Sequence, residues 1–197
     1  CEYELVAEFG GTWTQADAHS LVGFALLDSA NELCVRGGVQ LEPLEVVERL
    51  LDGVAARVEQ RLPWRPGAPE LLAECAAAQV PCVLVTMSWR RLADAVIAAA
   101  PPGSFVASIT GDEVRRGKPD PEPYLAAAAA LGLDPADCLA IEDSPTGVAS
   151  ALAAGCATLG VPHVVPLAAT PGLVLADSLL GIDLPTLRRT HFGPVRT

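Results

Sequence analysis

Residues 138–155 read Cys138-Leu139-Ala140-Ile141-Glu142-Asp143-Ser144-Pro145-Thr146-Gly147-Val148-Ala149-Ser150-Ala151-Leu152-Ala153-Ala154-Gly155, and this stretch decides the fold. An apolar run from Cys138 to Ile141 leads straight into two adjacent carboxylates and then into a helical segment, roughly Thr146 to Ala154. A short run that is apolar throughout suits a strand covered on both faces, as in a parallel sheet. Two acids at the mouth of a buried strand are costly unless something positive sits there. Magnesium is the natural candidate, because it takes hard oxygen ligands and is usually held by one or two carboxylates with phosphate and water. The alternative is that both acids cap the helix beginning near Pro145, which suits one acid better than two.

The same alternation extends upstream and downstream. Apolar runs at Pro81–Val85, Phe105–Thr110 and Ala157–Val161 are separated by helical segments at about Glu70–Ala78, Trp89–Ala99 and Glu122–Leu131. Alternating strands and helices predict an α/β domain with a parallel sheet. Before the Pro63-Trp64-Arg65-Pro66-Gly67 punctuation the pattern is different. Residues 1 to about 62 read as helices throughout. Thr14 has Asp17 three positions on, a capping arrangement, and a helix over Leu26–Arg36 is expected to end in a left-handed turn at Gly37. A further helix opens at Pro43 and repeats Leu44, Val47, Leu50, Leu51, Val54 and Val58 at helical spacing. From about Pro162 the chain is rich in proline and ends in an Arg-bearing tail expected to fray.

Composition narrows the function. The 197 residues suffice for one good-sized domain, or one domain with a small accessory unit. A net charge of −11 repels polyanions, and no arginine cluster interleaved with aromatics offsets it, which argues against nucleic acid. Half of the chain is hydrophobic, yet every apolar run is broken before the eighteen or so residues that a bilayer span needs. No secretory or transit signal opens the sequence. The six cysteines, Cys1, Cys34, Cys75, Cys82, Cys138 and Cys156, form no CxxC pair and read as reduced thiols of a cytoplasmic protein. His19, His163 and His191 are too dispersed in sequence to suggest a ligand set.

In an open parallel sheet ligands bind beyond the carboxyl ends of the strands. The first strand ends in Thr86-Met87-Ser88, a hydroxyl and backbone N–H groups at the start of a helix, where a phosphoryl oxygen binds favourably. Simple helix capping by Ser88 explains the same residues. In Gly117-Lys118-Pro119-Asp120-Pro121, helix initiation by Asp120 and Pro121 accounts for everything except the lysine. Lys118 is the single lysine among 13 basic residues, and a compact ammonium suits a phosphate or a carboxylate. A solvated loop lysine is the alternative.

Thr86, Lys118 and the Glu142-Asp143 pair thus stand at or near successive strand ends. The segments VLVTMS (83–88), RGKPDPEPYL (116–125) and AIEDSPTGVASALAAG (140–155) resemble the second, third and fourth motifs of the haloacid dehalogenase superfamily. The branch resembled carries a helical cap near its N-terminus and includes beta-phosphoglucomutase and many small-metabolite phosphatases. The resemblance implies a cap over residues 1–62 and a Rossmann-like α/β core over 63–197. It implies that Thr86, Met87, Ser88 and Lys118 bind the phosphoryl group, with Lys118 also steadying the nucleophile. Asp143 then binds Mg²⁺ directly and Glu142 helps hold the metal or its water.

The family's first motif, an apolar strand ending in two aspartates one residue apart, has no counterpart here, since Cys1-Glu2-Tyr3-Glu4-Leu5-Val6 reads as a helix already under way. In that family the strand lies at the centre of the sheet, so its absence is expected to leave two half-sheets facing a gap, each with an unpaired edge. The chain is therefore expected to begin roughly twenty residues or more too late and to be poorly stable and inactive alone. The activity implied for the intact protein is hydrolysis of phosphate monoesters of small metabolites through an aspartyl-phosphate. A sugar phosphomutase and a degenerate, non-catalytic binding domain are the alternatives. Dehalogenation needs no metal, and phosphonate cleavage uses a cap lysine that residues 1–62 lack, so both fit poorly.

Overall fold

The computed structural model describes residues 1–192. The expected frayed tail falls mostly on 193–197, outside the described residues. The first four helices are α1 (Glu2–Glu8), α2 (Gln15–Ser20), α3 (Leu26–Val35) and α4 (Pro43–Gln60). They pack around one apolar cluster in which Val6, Ala30, Leu33, Val46 and Val47 are fully buried. The stripe on α4 includes Val47, Leu50, Leu51 and Val58, whereas Leu44 stays 57% exposed on the first turn. The α2 cap forms as expected, with the Thr14 hydroxyl accepting from the Asp17 N–H and the Asp17 carboxylate accepting from the Thr14 N–H.

One turn departs from expectation. After α3 the left-handed residue is Gly38 (φ 74°), one position later than the sequence suggests. Gly37 is required for a different reason. A Cβ there would stand 2.6 Å from the Leu33 carbonyl and 2.8 Å from Val6, inside the contact between α3 and α1.

The α/β part follows with α5 (Ala68–Ala77), β1 (Val83–Val85), α6 (Arg90–Ala99), β2 (Ala107–Ile109) and α7 (Glu122–Leu131). It continues with β3 (Leu139–Glu142), α8 (Pro145–Ala154), β4 (Ala157–Gly160), β5 (Leu173–Leu175) and α9 (Leu184–Phe192). All strand pairs are parallel, as continuous apolar runs separated by helices require. The strands do not form one sheet. β1 pairs with β2, and β3–β4–β5 form a second sheet, so β1 and β3 each keep one edge unpaired. These are the two half-sheets that the sequence predicts. β5 and α9 lie in the proline-rich stretch for which no element was expected.

Packing joins the parts. Tyr124 of α7 shares a cluster with Ala140 of β3, Ala151 of α8, Cys156 and, from the other sheet, Val85. The helical bundle sits against α6, whose Leu92 and preceding Trp89 join the bundle's apolar cluster. Arg91 of α6 adds ion pairs to Glu48, at 3.5 Å, and to Asp52 of α4. All six cysteines are free thiols. Among the described residues, no helix is long and apolar enough to cross a membrane.

Candidate active site

The β1 strand delivers Thr86 beyond its carboxyl end, where the Thr86 N–H still bonds to the Ile109 carbonyl of β2 and its hydroxyl oxygen accepts from the Ser88 N–H at 3.1 Å. Ser88 does not cap α6. The N-cap position is Trp89, and the Arg90 N–H is instead satisfied by the Asp112 carboxylate at 3.0 Å, supplied by the loop after β2. Asp112 is itself held by the hydroxyl of fully buried Thr110. The Met87 side chain packs inward: its sulfur accepts from the Lys118 N–H at 3.2 Å, and a Cβ on Gly117 would lie 2.8 Å from it. Met87 thus ties the loop after β1 to the loop carrying Lys118.

Lys118 is no solvated loop residue. Its side chain is 9% exposed, and its ammonium donates to the Val85 carbonyl at 3.1 Å and to Glu142 Oε1 at 2.5 Å. Glu142, 5% exposed at the side chain, ends β3. A buried carboxylate without a counter-charge would be strongly unfavourable, so the pair is mutually required. Neither acid of the Glu142-Asp143 pair caps α8. Ser144 takes that role, accepting from the Gly147 N–H at 3.1 Å. The Glu142 carboxylate lies against Gly147, where a Cβ would come within 1.9 Å of Oε2. Asp143 is exposed and lines the cavity.

A third side chain completes this cluster. The Tyr124 hydroxyl donates to Glu142 Oε1, and its ring lies 5.2 Å from the Lys118 ammonium, within cation–π range. Burial first, then the Glu142 charge, hold the Tyr124 phenol well above its ordinary value, so it remains a donor. Tyr124 is not among the residues singled out from sequence. A tyrosine at the start of an alanine-rich helix carries no signal beyond that of a core aromatic.

Thr86, Met87, Ser88, Lys118, Glu142 and Asp143 all border one cavity of about 440 Å³. The bundle overhangs it. Gly23 and Phe24, between α2 and α3, form part of the wall, and Thr146 at the start of α8 lies so near that a Cβ on Gly23 would stand 2.1 Å from its hydroxyl oxygen. Arg65, from the segment linking bundle and core, closes another side while its guanidinium contacts His163 Nδ1 at 2.6 Å and donates to the Pro162 carbonyl at 2.9 Å. Neither Phe24 nor Arg65 belongs to a motif, and only the fold reveals them.

The donor set fits magnesium. Asp143 and Glu142 are adjacent carboxylates bordering the cavity, and these hard oxygens are the ones that could hold magnesium, Asp143 through its exposed carboxylate and Glu142 beside its bonds to Lys118 and Tyr124. Magnesium ordinarily keeps several waters and a phosphate oxygen beside one or two carboxylates, which is what two ligands on an open cavity allow.

Residues 4–155 match the family model described as a haloacid dehalogenase-like hydrolase. The chain belongs to the haloacid dehalogenase-like hydrolase family. Among curated members it is similar to hexitol phosphatase A of Escherichia coli (strain K12), 38% identical over 146 residues that cover 73% of this chain and 59% of that protein. It is also similar to the validoxylamine A 7'-phosphate phosphatase of Streptomyces hygroscopicus subsp. limoneus, 36% identical over 129 residues, 65% of this chain and 59% of that protein. The chain thus spans about three fifths of the length of these two relatives. Of solved structures, CbbY from Rhodobacter sphaeroides in complex with phosphate superposes with a TM-score of 0.84 at 23% identity, covering 94% of this chain and 89% of that one. The similarity to CbbY shows a shared fold, and the expected dehalogenase-like architecture is the one observed.

Proposed function

We propose that the protein is a magnesium-dependent phosphoric monoester hydrolase acting on small phosphorylated metabolites in the cytoplasm. The observation that carries this reading is the buried Lys118–Glu142 pair opening onto a cavity also lined by Thr86, Ser88 and Asp143. A buried ammonium paired with one carboxylate, beside hydroxyls and a second, exposed carboxylate on the same cavity, suits a phosphate dianion together with a hard cation. The similarity to proteins named hexitol phosphatase A and validoxylamine A 7'-phosphate phosphatase supports the substrate class.

In this reading residues 1–62 form a cap over the core of residues 63–197, and Phe24 and Arg65 meet the part of the substrate beyond its phosphate. The Thr86 hydroxyl and the main-chain groups of Met87 and Ser88 hold phosphate oxygens. Lys118 offsets charge on the phosphate and on the attacking carboxylate. Asp143 and Glu142 hold magnesium, which when bound neutralises charge gathering on the phosphoryl oxygens. The resemblance to the haloacid dehalogenase family implies that the attacking group is the first aspartate of that family's first motif, which has no counterpart within residues 1–197 and whose strand would sit in the gap between β1 and β3. Attack forms an aspartyl–phosphate bond and breaks the ester bond, the leaving oxygen taking a proton from the second aspartic acid of that motif, the general acid and base that the resemblance implies. Water then attacks phosphorus, giving that second aspartate its proton and breaking the aspartyl–phosphate bond, so that inorganic phosphate is released and both carboxyl groups return to their starting states.

The test is hydrolysis of an aryl phosphate and a panel of sugar and polyol phosphates by the product of the gene's complete reading frame, with and without magnesium. Turnover should require magnesium and fall about a hundredfold or more in Asp143→Ala, and residues 1–197 by themselves should be silent. Turnover by residues 1–197 would overturn the placement of the nucleophile. Silence of the complete product on every ester would favour a binding domain.

A further inference from the structure

Glu142 Oε1 accepts from two donors, the Lys118 ammonium and the Tyr124 hydroxyl. Its other oxygen meets the Ser144 hydroxyl at 3.4 Å and lies against Gly147. Tyr124 is 8% exposed and packs with Ala140, Ala151 and Cys156. A phenylalanine would supply that packing equally well, and its ring would still face the Lys118 ammonium. The hydroxyl adds one thing, the bond to Glu142, and a buried phenol ordinarily demands such a partner. The terminal torsion of a glutamate is soft, so a single ion pair leaves the carboxylate plane loosely defined. A second donor on the same oxygen, from a rigid ring on α7, fixes it.

We infer that Tyr124 is a positioning residue, which orients the Glu142 carboxylate between Lys118 and the cavity and thereby sets the affinity of the site for its divalent cation. This rests on the magnesium-dependent reading above. Outer partners of metal ligands usually account for about 10–100-fold in affinity or activity, and Tyr124 would be such a partner, acting through Glu142. The phenol neither touches substrate nor exchanges a proton in this role.

The experiment is a double-mutant cycle on the product of the complete reading frame, with Tyr124→Phe, Glu142→Gln and the double variant. Mn²⁺ binding is measured by isothermal titration, and kcat and KM on an aryl phosphate are measured in parallel. Tyr124→Phe should weaken Mn²⁺ binding about tenfold with a circular dichroism spectrum like that of the wild type. In the Glu142→Gln background the same change should have little further effect, because the glutamine amide can still accept from Tyr124 but the anionic carboxylate that Tyr124 orients toward the cation is gone. Unchanged Mn²⁺ affinity in Tyr124→Phe would overturn the inference, as would a loss that adds in full to that of Glu142→Gln. If Tyr124→Phe unfolds, the Glu142→Gln background, which removes the carboxylate charge, supplies the comparison of double against single variant, and a large drop there again overturns it. Failure of the parent reading looks different: wild-type protein that binds no Mn²⁺ and hydrolyses no ester.

Discussion

At the scale of single residues the site is governed by how a carboxylate survives burial. Glu142 does so through Lys118 and Tyr124, and the space for its head group exists because residue 147 has no side chain. Two predictions follow from that arrangement. Gly147→Ala places a methyl 1.9 Å from Oε2 and must displace the carboxylate or α8, so urea denaturation should show a loss of roughly 1–3 kcal/mol. Wild-type stability in that variant would mean that the Glu142 side chain moves aside freely. Glu142→Ala strands the Lys118 ammonium in a pocket where it is 9% exposed, and should be worse, about 3–5 kcal/mol. Much of this was legible in the sequence. A lone lysine in an arginine-using chain and two acids closing an apolar run are anomalies that composition and burial arguments detect. Tyr124 was not legible, because its role depends on the distance between its hydroxyl on α7 and a carboxylate on β3, and no local spacing encodes that.

The elements show the same division between local and distant causes. Four strands and the helices between them follow from runs of apolar residues bounded by Gly and Pro, signals confined to a few neighbours. β5 (Leu173–Leu175) is as short as β1 and β2 but lies in the proline-rich stretch after Pro162, and its place in the sheet comes from pairing with β4. The start of α6 is a further case, since the acceptor for its Arg90 N–H is the side-chain carboxylate of Asp112, 22 residues away. Beside it the Arg90 guanidinium binds Glu113, which also accepts from the Thr110 N–H. The Arg90 bond, aided by Thr110, holds the Glu113 carboxyl below its ordinary value of 4.5. A depressed carboxylate contributes stability that is present above the unfolded value and is lost as pH falls through the folded one. Both side chains are more than a third exposed, at 35% and 43%, so the contribution is about 1 kcal/mol at most. The stability difference between wild type and Glu113→Gln should therefore be present at pH 6 and shrink as the solution is acidified below 4.5. A difference that stays constant with pH would show that the bonds to Arg90 and Thr110 do not depend on ionisation of Glu113.

For the whole molecule the deciding feature is the gap between its two sheets. In a parallel ladder, alternate residues of a strand turn their N–H and C=O groups to opposite neighbours. Thr86 bonds to β2 and the Val85 carbonyl accepts from Lys118 instead, so the free edge of β1 is carried by Val83 and Val85. On β3 the carbonyls of Cys138 and Glu142 accept from β4, which leaves Leu139 and Ile141 on the open side. Unpaired edges of this kind seek a strand, and leaving them unmatched within a core is unfavourable. α7 joins the two sheets through one apolar cluster that includes its Tyr124, Ala140 of β3 and, packed against them, Val85 of β1. Hydrogen exchange resolves the consequence amide by amide. In residues 1–197 alone, the amides of Val83, Val85, Leu139 and Ile141 should exchange much faster than those of Leu84 and Ala140, their in-strand neighbours bonded to β2 and β4. In the product of the complete reading frame the proposed nucleophile-bearing strand should fill the gap and erase that alternation. Equal protection along β1 and β3 in residues 1–197 would mean that the edges are already satisfied, and the proposed seat of the nucleophile would then have to lie elsewhere.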